Sequence, residues 1–345
     1  MTIQVRSFAK INLGLRIGQR RADGFHDLLT VYQTIALHDL IRVSLARGRG
    51  IEIRCDDPRV PRDESNTCYR IIEKTIRSLN AKGRVLIEIE KRLAVQGGMG
   101  GASSNAVAAM LGLERVLRKY LATEERLRIA AEVGSDLPLF LIGGTVLGVG
   151  RGEQVYPLED LPATACVMVT PQVGVSTPKA FAEWDRRLAE NAQELKPALN
   201  NEAYPLKGRS LPGELTASSS SDRIKQLGRE FSAWLSESYS GAPLSLRSMR
   251  GRAGNPLLAL VRTGIQNDFE QVVFPEYPEL REIKKALLRS GAKYASLSGS
   301  GSTLYGLFMS QDVARTAAEK LQKQGWTARV TATLSRRAYW SRVFV

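Results

Sequence analysis

The chain has 345 residues, 43% hydrophobic and 24% charged, which is enough to bury a sizeable core and more than one ordinary compact domain needs. No run of 18 or more apolar residues occurs, and the first 30 residues carry Arg6, Lys10, Arg16, Arg20 and Arg21 with no apolar core between them; a membrane span and a secretory signal are not expected. The net charge of +14 favours anionic ligands, but the Lys and Arg residues are spread through the chain without the aromatic interleaving of a nucleic-acid surface.

Three cysteines, Cys55, Cys68 and Cys166, lie far apart without CxxC spacing and read as reduced thiols of a cytoplasmic protein. With two histidines, His26 and His38, a structural zinc site is not expected.

Short segments rich in Val, Ile, Leu and Thr, at about 2–8, 11–17, 29–37, 41–46 and 50–54, read as strands. The polar stretch 18–27 reads as a loop whose Asp23-Gly24 pair marks a turn. Tyr69, Ile72, Ile76 and Leu79 predict a helix from about 66, and the alternation over 84–91 predicts a half-exposed strand. Ala106, Met110, Leu113 and Leu117 predict a helix over about 103–118. Thr123 is placed to cap the next helix, with Glu124 and Glu125 in its first turn, and Gly134 to end it in the left-handed conformation.

Strands at 143–149 and 164–170 flank a charged stretch, 150–160, which is the candidate domain boundary. Residues 200–256, with the Ser218–Ser221 run and Arg247, Arg250 and Arg252, read as an insertion holding one helix near 222–238. Beyond it the pattern predicts a helix at 278–290, strands at 293–297 and 303–308, a helix at 311–323 and a strand at 327–334. Strands mixed with helices, without steady βαβ alternation, favour α+β over a doubly wound sheet.

The densest signal is Gln96-Gly-Gly-Met-Gly-Gly-Ala-Ser-Ser-Asn105, between an alternating strand and a helix. Such glycines let a ligand approach the backbone closely, and the unpaired N–H groups opening a helix can cradle polyphosphate oxygens. Ser103 and Ser104 are placed to cap that helix or to turn a hydroxyl toward phosphate or Mg²⁺; the plainer alternative is a flexible turn with a serine cap. A Walker A loop is excluded because the chain has no Gly-Lys dipeptide, and Gly98-x-Gly100-x-x-Ser103 lacks the third glycine of a dinucleotide fingerprint. A second cluster, Ser298-Gly-Ser-Gly-Ser302, joins two apolar segments and reads by itself as a hairpin loop.

Taken in order, Phe8-Ala-Lys-Ile-Asn-Leu13, Arg20-Arg-Ala-Asp-Gly-Phe-His26, the Val95–Ser104 loop, Gly134-Ser-Asp-Leu-Pro-Leu-Phe140 and Leu297-Ser-Gly-Ser-Gly-Ser302 resemble the GHMP kinases. Within that superfamily they resemble the kinases of 4-diphosphocytidyl-2-C-methyl-D-erythritol in the non-mevalonate isoprenoid pathway. The likeness spans about 1–185 and 260–335. The chain departs from the family pattern at Ala94, usually Pro, at Gln96 and Ala102, usually Gly, and at Phe25, commonly Tyr.

The resemblance implies a two-domain α+β GHMP kinase fold. Residues 1–160 would form an N-terminal, ribosomal protein S5 domain 2-like ATP-binding part. Residues 161–345 would form a C-terminal ferredoxin-like α/β part, with the insertion at about 190–256.

It implies ATP with Mg²⁺ as cofactor, held by Ala94, Val95, Gln96, Gly97, Gly98, Met99, Gly100, Gly101, Ala102, Ser103 and Ser104, with Asn66 at the adenine. Asp136 is the implied catalytic carboxylate, as general base or electrostatic orienter, and Lys10 beside it would keep it ionised and steady the acceptor oxygen. Phe25 and Phe181 would stack on the two faces of a cytosine, His26 would bond its edge, and Asn12 and Thr177 would address other polar groups of the substrate. Partners would be small molecules, with neither membrane nor nucleic acid, and the resemblance assigns no metal ligands.

Taken singly, Phe25 and Phe181 read as core residues, His26 as a surface residue and Asp136 as a surface charge. Two other functions compete: a GHMP kinase for another alcohol such as homoserine, and a non-catalytic RNA- or ATP-binding relative. The presence of both Lys10 and Asp136 argues against the second.

Overall fold

The computed structural model describes residues 1–199 and 265–345, except for the side chains of 191–199. Its first feature is a long antiparallel ribbon of β1 (Thr2–Arg20) and β2 (His26–Ala46). The four short strands expected over 2–46 are therefore two long ones, and the loop expected at 18–27 shrinks to a tight turn. Register shifts at Phe8/Ala9, Asn12/Gly14 and Ile17/Arg20 bend the ribbon without breaking it, as bulges do.

The first sheet adds β3 (Gly50–Cys55), β4 (Arg84–Glu90), β5 (Thr145–Val149) and β6 (Gln154–Pro157) in the order β3-β4-β2-β5-β6, with β1 on β2. The charged 150–160 stretch thus contains an edge strand of this sheet. Helices α1 (Thr67–Ser78), α2 (Gly101–Leu117), α3 (Thr123–Val133) and α4 (Leu137–Ile142) share a core with it. Most of α2 is buried, and a Cβ at its Gly112 would come within 2.8 Å of Val43, so helix and sheet meet at the backbone.

The second sheet is antiparallel, ordered β10-β7-β9-β8, from β7 (Ala165–Thr170), β8 (Tyr294–Leu297), β9 (Leu304–Phe308) and β10 (Thr327–Ala332). Around it lie α5 (Thr177–Leu199), α6 (Phe269–Glu276), α7 (Pro278–Arg289) and α8 (Gln311–Lys323). The terminal α9 (Arg336–Trp340) returns to the first core through Tyr339. A third core cluster joins the sheets: Ala9, Ile11 and Leu13 of β1 and Val31 of β2 meet Cys166, Met168, Tyr305 and Leu307.

Three capping expectations are corrected. Gly100, not Ser103 or Ser104, is the N-cap of α2; the helix starts two residues earlier than expected, and both serines lie within its first turn. Ala122 precedes α3 with no side-chain cap, so Thr123 is already helical. Gly134 ends that helix at φ 179°, extended backbone rather than the left-handed form. The helix expected near 222–238 lies outside the described residues. Among the described residues no helix is long and apolar enough to cross a membrane.

Candidate active site

Lys10 lies within β1, almost fully buried, and its ammonium donates to Asn12 Oδ1 at 2.6 Å. It stands 3.6 Å from Asp136 Oδ2. Asn12 is itself oriented: its amide donates to Thr30 Oγ1 at 2.8 Å, and that hydroxyl donates to Gly14 O at 2.8 Å. Asp136 precedes α4 but caps none of its N–H groups; instead its Oδ1 accepts the Tyr32 hydroxyl at 3.0 Å.

Burial pushes the Lys10 ammonium below its ordinary pKa, opposed by the charge of Asp136. The Tyr32 phenol is pushed well up, first by burial and then by Asp136, so it stays a donor. The Asp136 carboxylate is one-third exposed and so open to a ligand.

The glycine-rich loop closes directly on this group. Lys10 N donates to Met99 O at 3.0 Å, and a Cβ at Gly100 would lie 3.1 Å from Lys10 Cγ and 3.0 Å from Phe140 Cζ. Gly100 has φ +69° and Gly98 φ +72°, a region that favours glycine, and a side chain at Gly98 would overlap the Ser298 carbonyl. Ser298 Oγ in turn donates to Gly98 O at 3.0 Å.

The second glycine–serine cluster is therefore both the β8–β9 turn and a wall of the site, since a Cβ at Gly299 would sit 3.4 Å from Lys10 Nζ. Asn267 fixes that turn by donating to Leu297 O at 2.9 Å and Gly299 O at 2.8 Å.

In front of α2 lies a cleft of about 400 Å³. Ala94 through Ser103 line it, with Asn66, Asn105, Arg59 and Lys91. The free N–H groups and positive end of α2 open here, suited to an anion. Ser104 points elsewhere: it is buried, with its hydroxyl 2.7 Å from that of Ser7. Asn66 lines the cleft, but its Oδ1 accepts Cys68 N at 2.8 Å to cap α1 and its amide donates to Pro61 O at 2.6 Å. One amide hydrogen remains for a base. Lys91, which sequence reasoning passed over, is held by buried Asp39; that carboxylate also accepts Arg92 N and Leu93 N, each at 2.7 Å, and so anchors the start of the loop.

The aromatic residues gather unevenly. The His26 ring lies flat on Phe181, with centroids 4.8 Å apart and planes 7° from parallel, and Phe181 meets Phe269 edge-on at 4.9 Å. His26 Nε2 is 2.7 Å from Asp185 Oδ1. Phe25 is 52% exposed, with the Arg151 guanidinium 5.0 Å from its ring centre. Thr177 Oγ1 lies 2.7 Å from Ser300 Oγ, which ties the start of α5 to the second loop. One face of Phe181 is thus covered by His26.

Comparison with known proteins decides among the families that use such a site. Residues 66–144 match the GHMP kinases N terminal domain, and 252–325 match the GHMP kinases C terminal domain. A 4-diphosphocytidyl-2-C-methyl-D-erythritol kinase of Solibacter usitatus is 34% identical over 98% of this chain and 92% of its own length. A second, from Synechococcus elongatus, is 31% identical over 93% of this chain and 91% of its own. The chain belongs to this kinase family.

A crystal structure of a 4-(cytidine 5'-diphospho)-2C-methyl-D-erythritol kinase, 25% identical, superposes with a TM-score of 0.64 over 96% of this chain and 99% of its own. A homoserine kinase of Cytophaga hutchinsonii (19% identical, TM-score 0.64, 97% of this chain and 95% of its own) shares the fold. As a GHMP kinase, the chain has the α+β two-domain fold and the ATP-dependent small-molecule kinase activity of its family.

Proposed function

We propose that this GHMP kinase transfers the γ-phosphoryl group of ATP to the 2-hydroxyl of 4-diphosphocytidyl-2-C-methyl-D-erythritol, giving the 2-phosphate and ADP in the non-mevalonate isoprenoid pathway. The observation that carries this reading is the Lys10–Asp136 pair, 3.6 Å apart, against the glycine-rich loop. Phosphoryl transfer needs little covalent chemistry from the protein; it needs position and charge neutralisation. The loop backbone and the start of α2 cradle the phosphates, Lys10 neutralises charge at the transferring group, and Asp136 Oδ2 orients the acceptor hydroxyl and accepts its proton. The alcohol oxygen attacks the γ-phosphorus, the bond to the β-phosphate oxygen breaks, and ADP leaves.

Among the described residues no group of three or more His, Cys, Asp or Glu side chains could hold a metal. Mg²⁺ arriving with ATP would be held mostly by phosphate oxygens and water, with Ser65, Thr67 and Ser103 the hydroxyl side chains that line the cleft. When bound it supplies charge neutralisation on the phosphates.

His26, Phe181, Asn12, Thr177 and Phe25 face the acceptor in this reading, with a cytidine diphosphate as the handle. The Lys10–Asp136 pair argues against a non-catalytic relative, and the sequence likeness to the diphosphocytidyl-methylerythritol kinases favours that acceptor over homoserine. The test is ADP release by purified protein with Mg-ATP and 4-diphosphocytidyl-2-C-methyl-D-erythritol. Turnover of that alcohol and none of homoserine is expected; the reverse would overturn the assignment.

A further inference from the structure

We propose that Tyr32 is a positioning residue for catalysis: its hydroxyl fixes which oxygen of Asp136 faces the acceptor alcohol. The inference rests on the role given above to Asp136.

An aspartate at the mouth of a cleft, bonded to no helix N–H, is free to turn about its own side-chain bonds. Here Oδ1 accepts the Tyr32 hydroxyl at 3.0 Å, which leaves Oδ2 toward Lys10 at 3.6 Å. The same tyrosine reaches both members of the pair, because the Lys10 ammonium lies 5.6 Å from the centre of its ring.

Tyr32 is rigid for steric reasons. Its ring is 2% exposed, and two glycines make room for it. A Cβ at Gly148 would come within 2.5 Å of Tyr32 Cε2, and one at Gly152 would overlap the hydroxyl oxygen itself. The backbone of β5 and of the turn after it therefore closes on the phenol and points its one donor at Asp136. A buried phenol needs a hydrogen-bond partner, and the carboxylate supplies it.

Tyr32→Phe removes the hydroxyl and keeps the ring. Expected is a fall in kcat of about 10- to 100-fold with KM values for ATP and acceptor within about twofold. Unchanged kcat in Tyr32→Phe would overturn the proposal. So would a fall in kcat accompanied by an equal loss of ATP or acceptor binding. Asp136→Ala, run alongside, separates the two claims. If it is inactive while Tyr32→Phe behaves as wild type, only the role of Tyr32 fails; if it stays active, the reading of Asp136 fails.

Discussion

The His26 ring rests flat on Phe181, 4.8 Å between centroids, while its Nε2 meets Asp185 Oδ1 at 2.7 Å. His26 and Phe181, the residues proposed to read the cytosine, are thus partnered by one another and by Asp185, while Phe25 is exposed. Phe181→Ala should raise KM for the cytidine-bearing acceptor roughly 5- to 150-fold, the worth of one aromatic stack, and leave KM for ATP unchanged. Steady-state kinetics with each substrate varied would show it; an unchanged acceptor KM removes Phe181 from the base site.

The two glycine loops touch at Gly98, whose missing side chain leaves room for the Ser298 carbonyl. Gly98→Ala should destabilise the fold by about 1–3 kcal/mol through overpacking and raise KM for ATP. Gly101→Ala is the control, because its nearest neighbour is the movable end of Lys91 at 3.3 Å. Thermal melts and ATP kinetics on both variants check the contrast. Equal behaviour would mean that the loop contact does not shape the phosphate cradle.

Asn66 is occupied as a helix cap and as a donor to Pro61 O. Asn66→Ala should cost about 1 kcal/mol of stability, and Asn66→Asp, which keeps the acceptor for Cys68 N–H, should recover most of it. KM for ATP should change little in either. A large rise in both, without loss of stability in the aspartate variant, would show that Asn66 reads adenine.

Lys10 is held below its ordinary pKa of 10.5, chiefly by burial. Between that lowered value and 10.5 the unfolded chain binds the extra proton, so this group adds stability as pH rises through the window. Activity runs the other way, because the ammonium that neutralises phosphoryl charge is lost. The alkaline limb of kcat should therefore fall below pH 10.5 while thermal melts show no matching loss from this residue. A flat kcat up to that pH would contradict the charged role of Lys10.

How much of this was legible in the sequence depended on range. The glycine-rich loop, α2 and β4 were readable because glycine density, helical spacing and strand alternation are local signals. The β1–β2 ribbon was read as shorter pieces because charged residues at its breaks, Lys10 and Asp39, are buried for reasons only the folded structure supplies. Tyr32 and Asp185 carry no local mark at all: their partners, Asp136 and His26, lie 104 and 159 residues away. The caps of α2 and α3 were misplaced because a serine or threonine near a helix start signals its neighbourhood, while Gly100 and Ala122 hold the position itself.

Asp136, steadied by Lys10, is proposed to act on the acceptor hydroxyl and not on ATP. The most direct measurement is kcat of Asp136→Ala with Mg-ATP and 4-diphosphocytidyl-2-C-methyl-D-erythritol, beside ATP affinity measured by titration. The expected result is a loss of about 10²- to 10⁴-fold in kcat with ATP affinity kept. A variant that turns over within a few-fold of wild type, or that loses ATP binding together with activity, would contradict it.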